Sequence, residues 1–174
     1  MRLPLIVTAA ALALGASSSL AVTATFNIAA TGAAEVTAGG VPNQGDADGF
    51  ANGTVLLDSG TGGSTGFAVF DLVIGNIATP LGGWHIHQAP ATTNGPIRLD
   101  FGNAEASRNG SLLQATKTGL SSTQIDAIIA NPIGFYFNLH NSPFPGGAVR
   151  SQLPEPGAIS LVALSAFGLV RRRR

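Results

Sequence analysis

The hydrophobic positions along most of this chain alternate instead of recurring every three or four residues. Phe67 to Ile74 is the clearest case. Phe70, Leu72 and Ile74 fall on one face and Asp71 on the other, the period-2 pattern of a half-buried strand. Trp84 to His87 repeats it: Trp84 and Ile86 point one way, His85 and His87 the other. So does Phe135 to His140, with Phe135, Phe137 and Leu139 opposite Tyr136, Asn138 and His140. Phe26 to Ala30, Phe50 to Leu57, Ile97 to Phe101 and Ala148 to Leu153 read as further strands. Glycine, proline and short polar residues separate them at 39–49, 58–64, 94–96 and 143–147, where turns are expected. A hairpin between 50–57 and 66–75 is the simplest pairing.

One segment breaks the alternation. Ile125, Ile128 and Ile129 give a helical i, i+3, i+4 face. Ser121 is a good N-cap with Gln124 three residues on, as in a capping box, and Leu120 and Ile125 take the positions of a hydrophobic staple. Pro132 ends the run. Seven or eight short strands and one short helix near 121–130 predict an all-β Greek-key sandwich or barrel, superoxide-dismutase-like or immunoglobulin-like. No internal repeat is visible.

Composition changes the picture at the two ends. Arg2, the apolar run Leu3 to Gly15 and the small residues Ala16 to Ser19 form the three regions of a secretory signal peptide. Residues 1–24 are assigned to it, with cleavage after Ala21 or Ala24. At the other end Pro154, Glu155, Pro156 and Gly157 lead into the apolar run Ala158 to Val170, and Arg171, Arg172, Arg173 and Arg174 close the chain. The apolar run has 13 residues, short of the ~20 of a spanning helix, and arginine snorkelling with local bilayer thinning can make up the difference. A Pro-Glu-Pro motif, a hydrophobic stretch and a basic cluster in that order resemble the PEP-CTERM sorting signal of Gram-negative bacteria. The resemblance implies secretion, transient anchoring in the inner membrane, processing by an exosortase-type enzyme, and a destination in the cell envelope or extracellular matrix.

Residues 25–153 remain as one domain. They carry four basic residues against eight acidic ones, a net charge of −4, and no basic patch, which argues against nucleic acid as a partner. The chain has no cysteine, so disulfides and thiolate metal sites are excluded. Its stability rests on a core, with or without a metal.

The candidate chemistry lies in the three histidines of the chain, His85, His87 and His140. On a strand, His-x-His puts both imidazoles on one face, roughly 6 to 7 Å apart at Cα, a spacing that suits Zn²⁺ or Cu²⁺. If the strands are neighbours, His140 joins them on the outward side. Nitrogens converging within about 4 Å would mark a metal site, and imidazoles splayed to solvent a plain surface. Asp46-Ala47-Asp48-Gly49 has the look of a calcium-loop fragment but lacks the further acids, and reads as a turn. Asn52-Gly53-Thr54 and Asn109-Gly110-Ser111 match the glycosylation sequon and also read as turns. Arg150 either pairs with a carboxylate or lines a site, and a structural ion pair is the preferred expectation. No serine sits in a nucleophile elbow, so no catalytic residue is assigned.

Gly83 to His87, Asn94-Gly95-Pro96, Phe135 to His140 and Gly147 to Leu153, preceded by Phe26 and Ala34-Glu35-Val36, resemble in order and spacing the CHRD domain, named for chordin and found in many bacterial secreted proteins. Two positions depart from that pattern: Ala148 stands where an acidic residue is usual and Ser151 where glycine is. Gly83 to His87 is also similar to the copper-ligand strand of copper/zinc superoxide dismutases, on which analogy His85, His87 and His140 form a copper-type triad. With no further histidine to bridge a second metal, dismutase activity is not expected. The resemblances imply an exported, non-enzymatic binding or adhesion module for polysaccharide or surface proteins. The alternative is a copper or zinc protein whose site has redox activity.

Overall fold

The computed structural model describes residues 20–61 and 64–154. Residues 1–19 of the proposed signal peptide lie outside the described residues, as do Glu155, Pro156, Gly157 and Arg171 to Arg174 of the proposed sorting signal. No helix among the described residues is long and apolar enough to cross a membrane.

The alternating segments become one antiparallel sheet of nine strands. They are β1 (Thr23–Thr31), β2 (Phe50–Asp58), β3 (Gly66–Gly75), β4 (Leu81–Gln88), β5 (Ile97–Asn103), β6 (Arg108–Asn109), β7 (Leu112–Leu120), β8 (Phe135–Asn141) and β9 (Val149–Gln152). Their order across the sheet is β5-β4-β8-β9-β1-β2-β3-β7-β6. The expected hairpin forms, with Phe50 opposite Gly75 and Asp58 opposite Phe67. Strands β1 and β9 touch in register only at Thr31 and Arg150. That narrow joint lets the two limbs of the sheet curl towards each other. Phe70 on β3 therefore meets Trp84 on β4 at 4.4 Å between ring centres, although the two strands stand five places apart in the order. Phe101 and Phe137 pack on the same ring, at 4.7 and 6.4 Å. Trp84 is wholly buried, and its indole N–H donates to the Phe101 carbonyl at 2.9 Å, as a buried indole requires.

The fold class is thus all-β with one short helix, but as a single strongly curled sheet. Two strands escape the alternation rule. Along β7 only Leu113 is deeply buried, and Lys117 shares its inward face, with Nζ 5.4 Å from the Trp84 ring centre. A lysine aimed inward on a strand so near the sheet edge blunts edge-to-edge pairing, and its charge hides the strand's periodicity. Strand β6 has two residues, too few to show a period.

Helix α1 (Ser122–Ala130) is where the isoleucine spacing puts it. Ser121 caps it by accepting from the Gln124 N–H at 3.3 Å, and Ile125, Ile128 and Ile129 are buried. Asn52-Gly53-Thr54 is not a turn but the middle of β2. Gly53 adopts φ 148°, and a Cβ there would overlap the Asp71 carbonyl of β3, so the glycine marks a close backbone approach within the sheet. Asp46-Ala47-Asp48-Gly49 closes as a turn through Gly49 N–H to Asp46 O at 3.0 Å.

Candidate metal centre

The outward face of β4 and β8 is not a solvent face. Trp84 and Ile86 on β4, and Phe135, Phe137 and Leu139 on β8, point into the core, so His85, His87, Tyr136, Asn138 and His140 point the other way. Register sets His85 beside Asn138 and His87 beside Tyr136. The turns around 32–49, 89–96 and 142–148 lie over this face. Asn138 is 1% exposed and His87 9%.

The three histidines converge. Ring centres are 4.9 Å apart for His85 and His140, 5.4 Å for His85 and His87, and 5.9 Å for His87 and His140. One nitrogen from each lies within 4.8 Å of the others. This is wider than the 4 Å mark set above. Three nitrogens around a tetrahedral ion at bond lengths near 2.05 Å stand about 3.3 Å apart, a closure that small imidazole rotations supply.

Their second nitrogens are committed. His87 Nδ1 lies 2.9 Å from the Gly95 carbonyl and His140 Nδ1 3.1 Å from the Pro145 carbonyl. A carbonyl only accepts, so both Nδ1 atoms carry the proton and both Nε2 atoms keep a lone pair. His85 Nε2 lies 3.5 Å from Asp100 Oδ1, which orients its proton outward and leaves Nδ1 with the lone pair. The three nitrogens so left are His85 Nδ1, His87 Nε2 and His140 Nε2. All three are buried without a hydrogen-bond partner. A carbonyl or carboxylate behind each ligating imidazole is the supporting arrangement that metal-binding histidines adopt.

Electrostatics keeps the lone pairs free. Burial, then repulsion from His140 and His87, lowers the His85 pKa to about 4 against the opposing pull of Asp100. Burial is also the first cause of the lowered pKa of His87, with His140 and Arg150 adding to it and the Gly95 bond opposing. His140 is lowered by burial, with Pro145 and Glu35 opposing. A prediction follows for acid stability. Above the unfolded value of about 6.5 both states are neutral and pH has no effect through these groups. Below it the unfolded chain takes up protons that the fold refuses, so metal-free stability falls as the pH drops, down to about 4 for His85. Urea unfolding from pH 7 to 4.5 checks this; a flat profile in a chain whose three histidines are replaced by glutamine is the matching control.

Arg150 completes the layer, in a role other than the expected ion pair. No carboxylate lies within ion-pair distance among the described residues. Its guanidinium donates to Asn94 Oδ1 at 3.0 Å, Pro90 O at 2.8 Å and Thr93 O at 3.0 Å, and stacks 3.5 Å from the Tyr136 ring centre. Tyr136 in turn lies parallel to His87, tilted 9° at 4.9 Å. Arg150 thereby ties the 89–96 turn onto the sheet, and with it the Gly95 carbonyl that holds His87. Burial lowers the Arg150 pKa, with Tyr136 and Glu35 opposing; guanidinium stays charged regardless. Glu35, 2% exposed, accepts from Val36 N–H at 3.1 Å and Asn138 Nδ2 at 2.7 Å.

The two departures, Ala148 just before β9 and Ser151 within it, have local explanations. The Ala148 side chain is fully buried, and its backbone bonds Leu139 O at 2.7 Å and Asp46 N at 2.8 Å. The Ser151 hydroxyl accepts from Ala29 N–H at 3.3 Å, filling in where β1 and β9 have ceased to pair. Tyr136 and Asn138 escape the sequence pattern because polar residues opposite an apolar face read as solvated. The available signal was charge: the outward positions His85, His87, Tyr136, Asn138 and His140 of β4 and β8 include no Lys, Arg, Asp or Glu.

Searches of curated proteins and of solved structures return no match. The family model described as the CHRD domain matches residues 26–153, which spans all nine strands but the first residues of β1 and includes every residue of the histidine centre. The chain belongs to the CHRD domain family.

Proposed function

We propose that this CHRD domain holds one transition-metal ion, copper or zinc, on His85 Nδ1, His87 Nε2 and His140 Nε2. The observation that carries the reading is the pairing of each imidazole. One nitrogen is spent on a backbone carbonyl or Asp100, and the other is buried, neutral and unpaired. Three lone pairs facing one another are unfavourable unless a cation sits between them. Imidazole sets suit zinc and copper, and three protein ligands leave a fourth position open, as catalytic sites do. The proposal is for metal capture; an oxidoreductase would be its enzymatic form. A Greek-key kinship with superoxide-dismutase-type barrels belongs to the same proposal, supported by the His-x-His strand on the outside of a curled antiparallel sheet. Elemental analysis after dialysis against copper or zinc tests it: one ion per full chain, and less than a tenth of that in the His85→Ala/His87→Ala variant. No ion in the parent chain sinks the reading.

Export remains part of the proposal, supported by the order of features at the two ends of the sequence. On this reading an exosortase-type enzyme processes the chain near Pro154 to Gly157, and the domain works at the cell envelope or matrix, where polysaccharide and surface proteins are its candidate partners. The contacts at the start of β1 support one of the two proposed cleavage sites. Thr23 opens β1 and its hydroxyl donates to Asp58 Oδ2 at 2.6 Å, while Val22 exchanges 3.0 Å bonds with Ser59 through both its N–H and its carbonyl. Cleavage after Ala24 removes all of these; cleavage after Ala21 keeps them. Terminal sequencing of the exported protein is expected to begin at Val22, and a start at Thr25 contradicts it.

A further inference from the structure

Among the described residues, four buried side-chain atoms find no hydrogen-bond partner: His85 Nδ1, His87 Nε2, His140 Nε2 and Asn138 Oδ1. All four are acceptors. Three are the lone pairs assigned to the metal above. The fourth belongs to the residue that stands beside His85 in the β4–β8 register and two positions from His140 on the same face of β8.

The direction of the Asn138 amide is fixed by its neighbour. Glu35 Oε2 receives Asn138 Nδ2 at 2.7 Å, and a carboxylate only accepts, so the amide cannot be turned round. Glu35 is itself held by the Val36 N–H on its other oxygen. Gly147 closes the layer from outside. It adopts φ 140°, and a Cβ there would overlap Glu35 Oε2 and stand 2.6 and 2.7 Å from Asn138 Oδ1 and Nδ2. Oδ1 is thus sealed from bulk solvent, locked in orientation and left wanting a donor. A metal ion satisfies the three imidazoles; it brings no proton for the amide oxygen.

We infer that Asn138 Oδ1 is the positioning acceptor for the ligand in the fourth metal position, and that it selects a small protic oxygen ligand, water or another hydroxyl-bearing molecule, over an aprotic anion. The inference rests on the metal reading. A ligand with an O–H pairs the last orphaned acceptor. An anion without a proton leaves it unpaired and brings a second lone pair against it, and a buried unpaired acceptor is costly. Glu35 acts through Asn138: it holds the amide with the oxygen, not the NH₂, presented.

The test uses the full chain loaded with Cu(II), its copper content read first. No copper in the parent chain overturns the metal reading and this inference with it. With copper bound, ¹⁷O-labelled water is expected to broaden the electron paramagnetic resonance signal, and azide, followed by its charge-transfer band, to bind weakly. Asn138→Ala removes the acceptor, and Glu35→Gln frees the amide to turn and donate. Each is expected to raise azide affinity roughly tenfold. Emission of the single, buried tryptophan, Trp84, reports whether each variant keeps the core; if Asn138→Ala fails to fold, Glu35→Gln decides. Copper bound without ¹⁷O broadening, or azide affinity within twofold of the parent in the folded variants, overturns this inference and leaves the metal reading standing.

Discussion

Replacing Arg150 with methionine is expected to lower stability by about 2–4 kcal/mol, from the loss of a charged donor's hydrogen bonds and of its stack on Tyr136. Arg150 is 1% exposed. Methionine fills much of the volume but leaves Pro90 O, Thr93 O and Asn94 Oδ1 without the donor they have at 2.8 to 3.0 Å. Hydrogen bonds to a charged donor contribute about 1.5–3 kcal/mol each; they do not add when they share one group, and Pro90 and Thr93 are exposed, so water takes up part of the loss. The stack on Tyr136 at 3.5 Å contributes about 2 kcal/mol when desolvated. Arg150→Lys is expected to recover less than half of the loss, because an ammonium has neither the planar fork nor the flat face. The same change reaches the metal centre. The 89–96 turn loses its bonds to Arg150 while those to Val36, Tyr136 and Gln152 remain, so the Gly95 carbonyl holds His87 less firmly and metal affinity is expected to fall about tenfold, the low end for supporting partners of metal ligands. Urea unfolding followed by Trp84 emission measures the first effect and metal titration the second. A stability loss below about 1 kcal/mol, the size of an ordinary surface change, sinks this account of Arg150.

The second large effect is the response of stability to metal. A ligand that binds only the folded state at 1,000 times its dissociation constant stabilises it by about 4 kcal/mol. The parent chain is expected to show this with copper or zinc and to lose it on chelation. His87→Ala is expected to gain less than about 1 kcal/mol at the same concentration, since two ligands remain and the chelate face is gone. The contrast with the metal-free forms matters. Without metal, His87 Nε2 is a buried acceptor with no partner, so removing the ring relieves an unfavourable group as well as losing packing. Metal-free stability therefore changes less than metal-loaded stability. An equal loss in both states would mean that His87 serves the fold alone.

How much of this was legible in the sequence depends on the range of the interactions. Alternation set His85, His87 and His140 on the face opposite Trp84, Ile86 and Phe137, and Ser121 with the isoleucine spacing located α1. Both signals are local. The neighbouring of β4 and β8 is not: Ile86 and Phe137 pair across some fifty residues, and no period carries that information. The curled single sheet depends on the one-residue joint at Thr31 and Arg150, which a strand count cannot reveal. Strand β7 was hidden because Lys117 turns its inward face polar. The polar layer was misread for a related reason. Tyr136 and Asn138 sit opposite apolar residues and look solvated, yet turns from three distant segments cover them, and Glu35 reaches Asn138 across 103 residues. Pairs so distant become visible only when the backbone is closed.

The most direct test of the central claim is a copper titration of the full chain followed by pulsed electron paramagnetic resonance, which counts coordinated imidazoles. The account predicts one equivalent of copper with three imidazole nitrogens, falling to two in His140→Ala. Copper spread over several weak sites, or an imidazole count unchanged when His85, His87 or His140 is replaced, would contradict it.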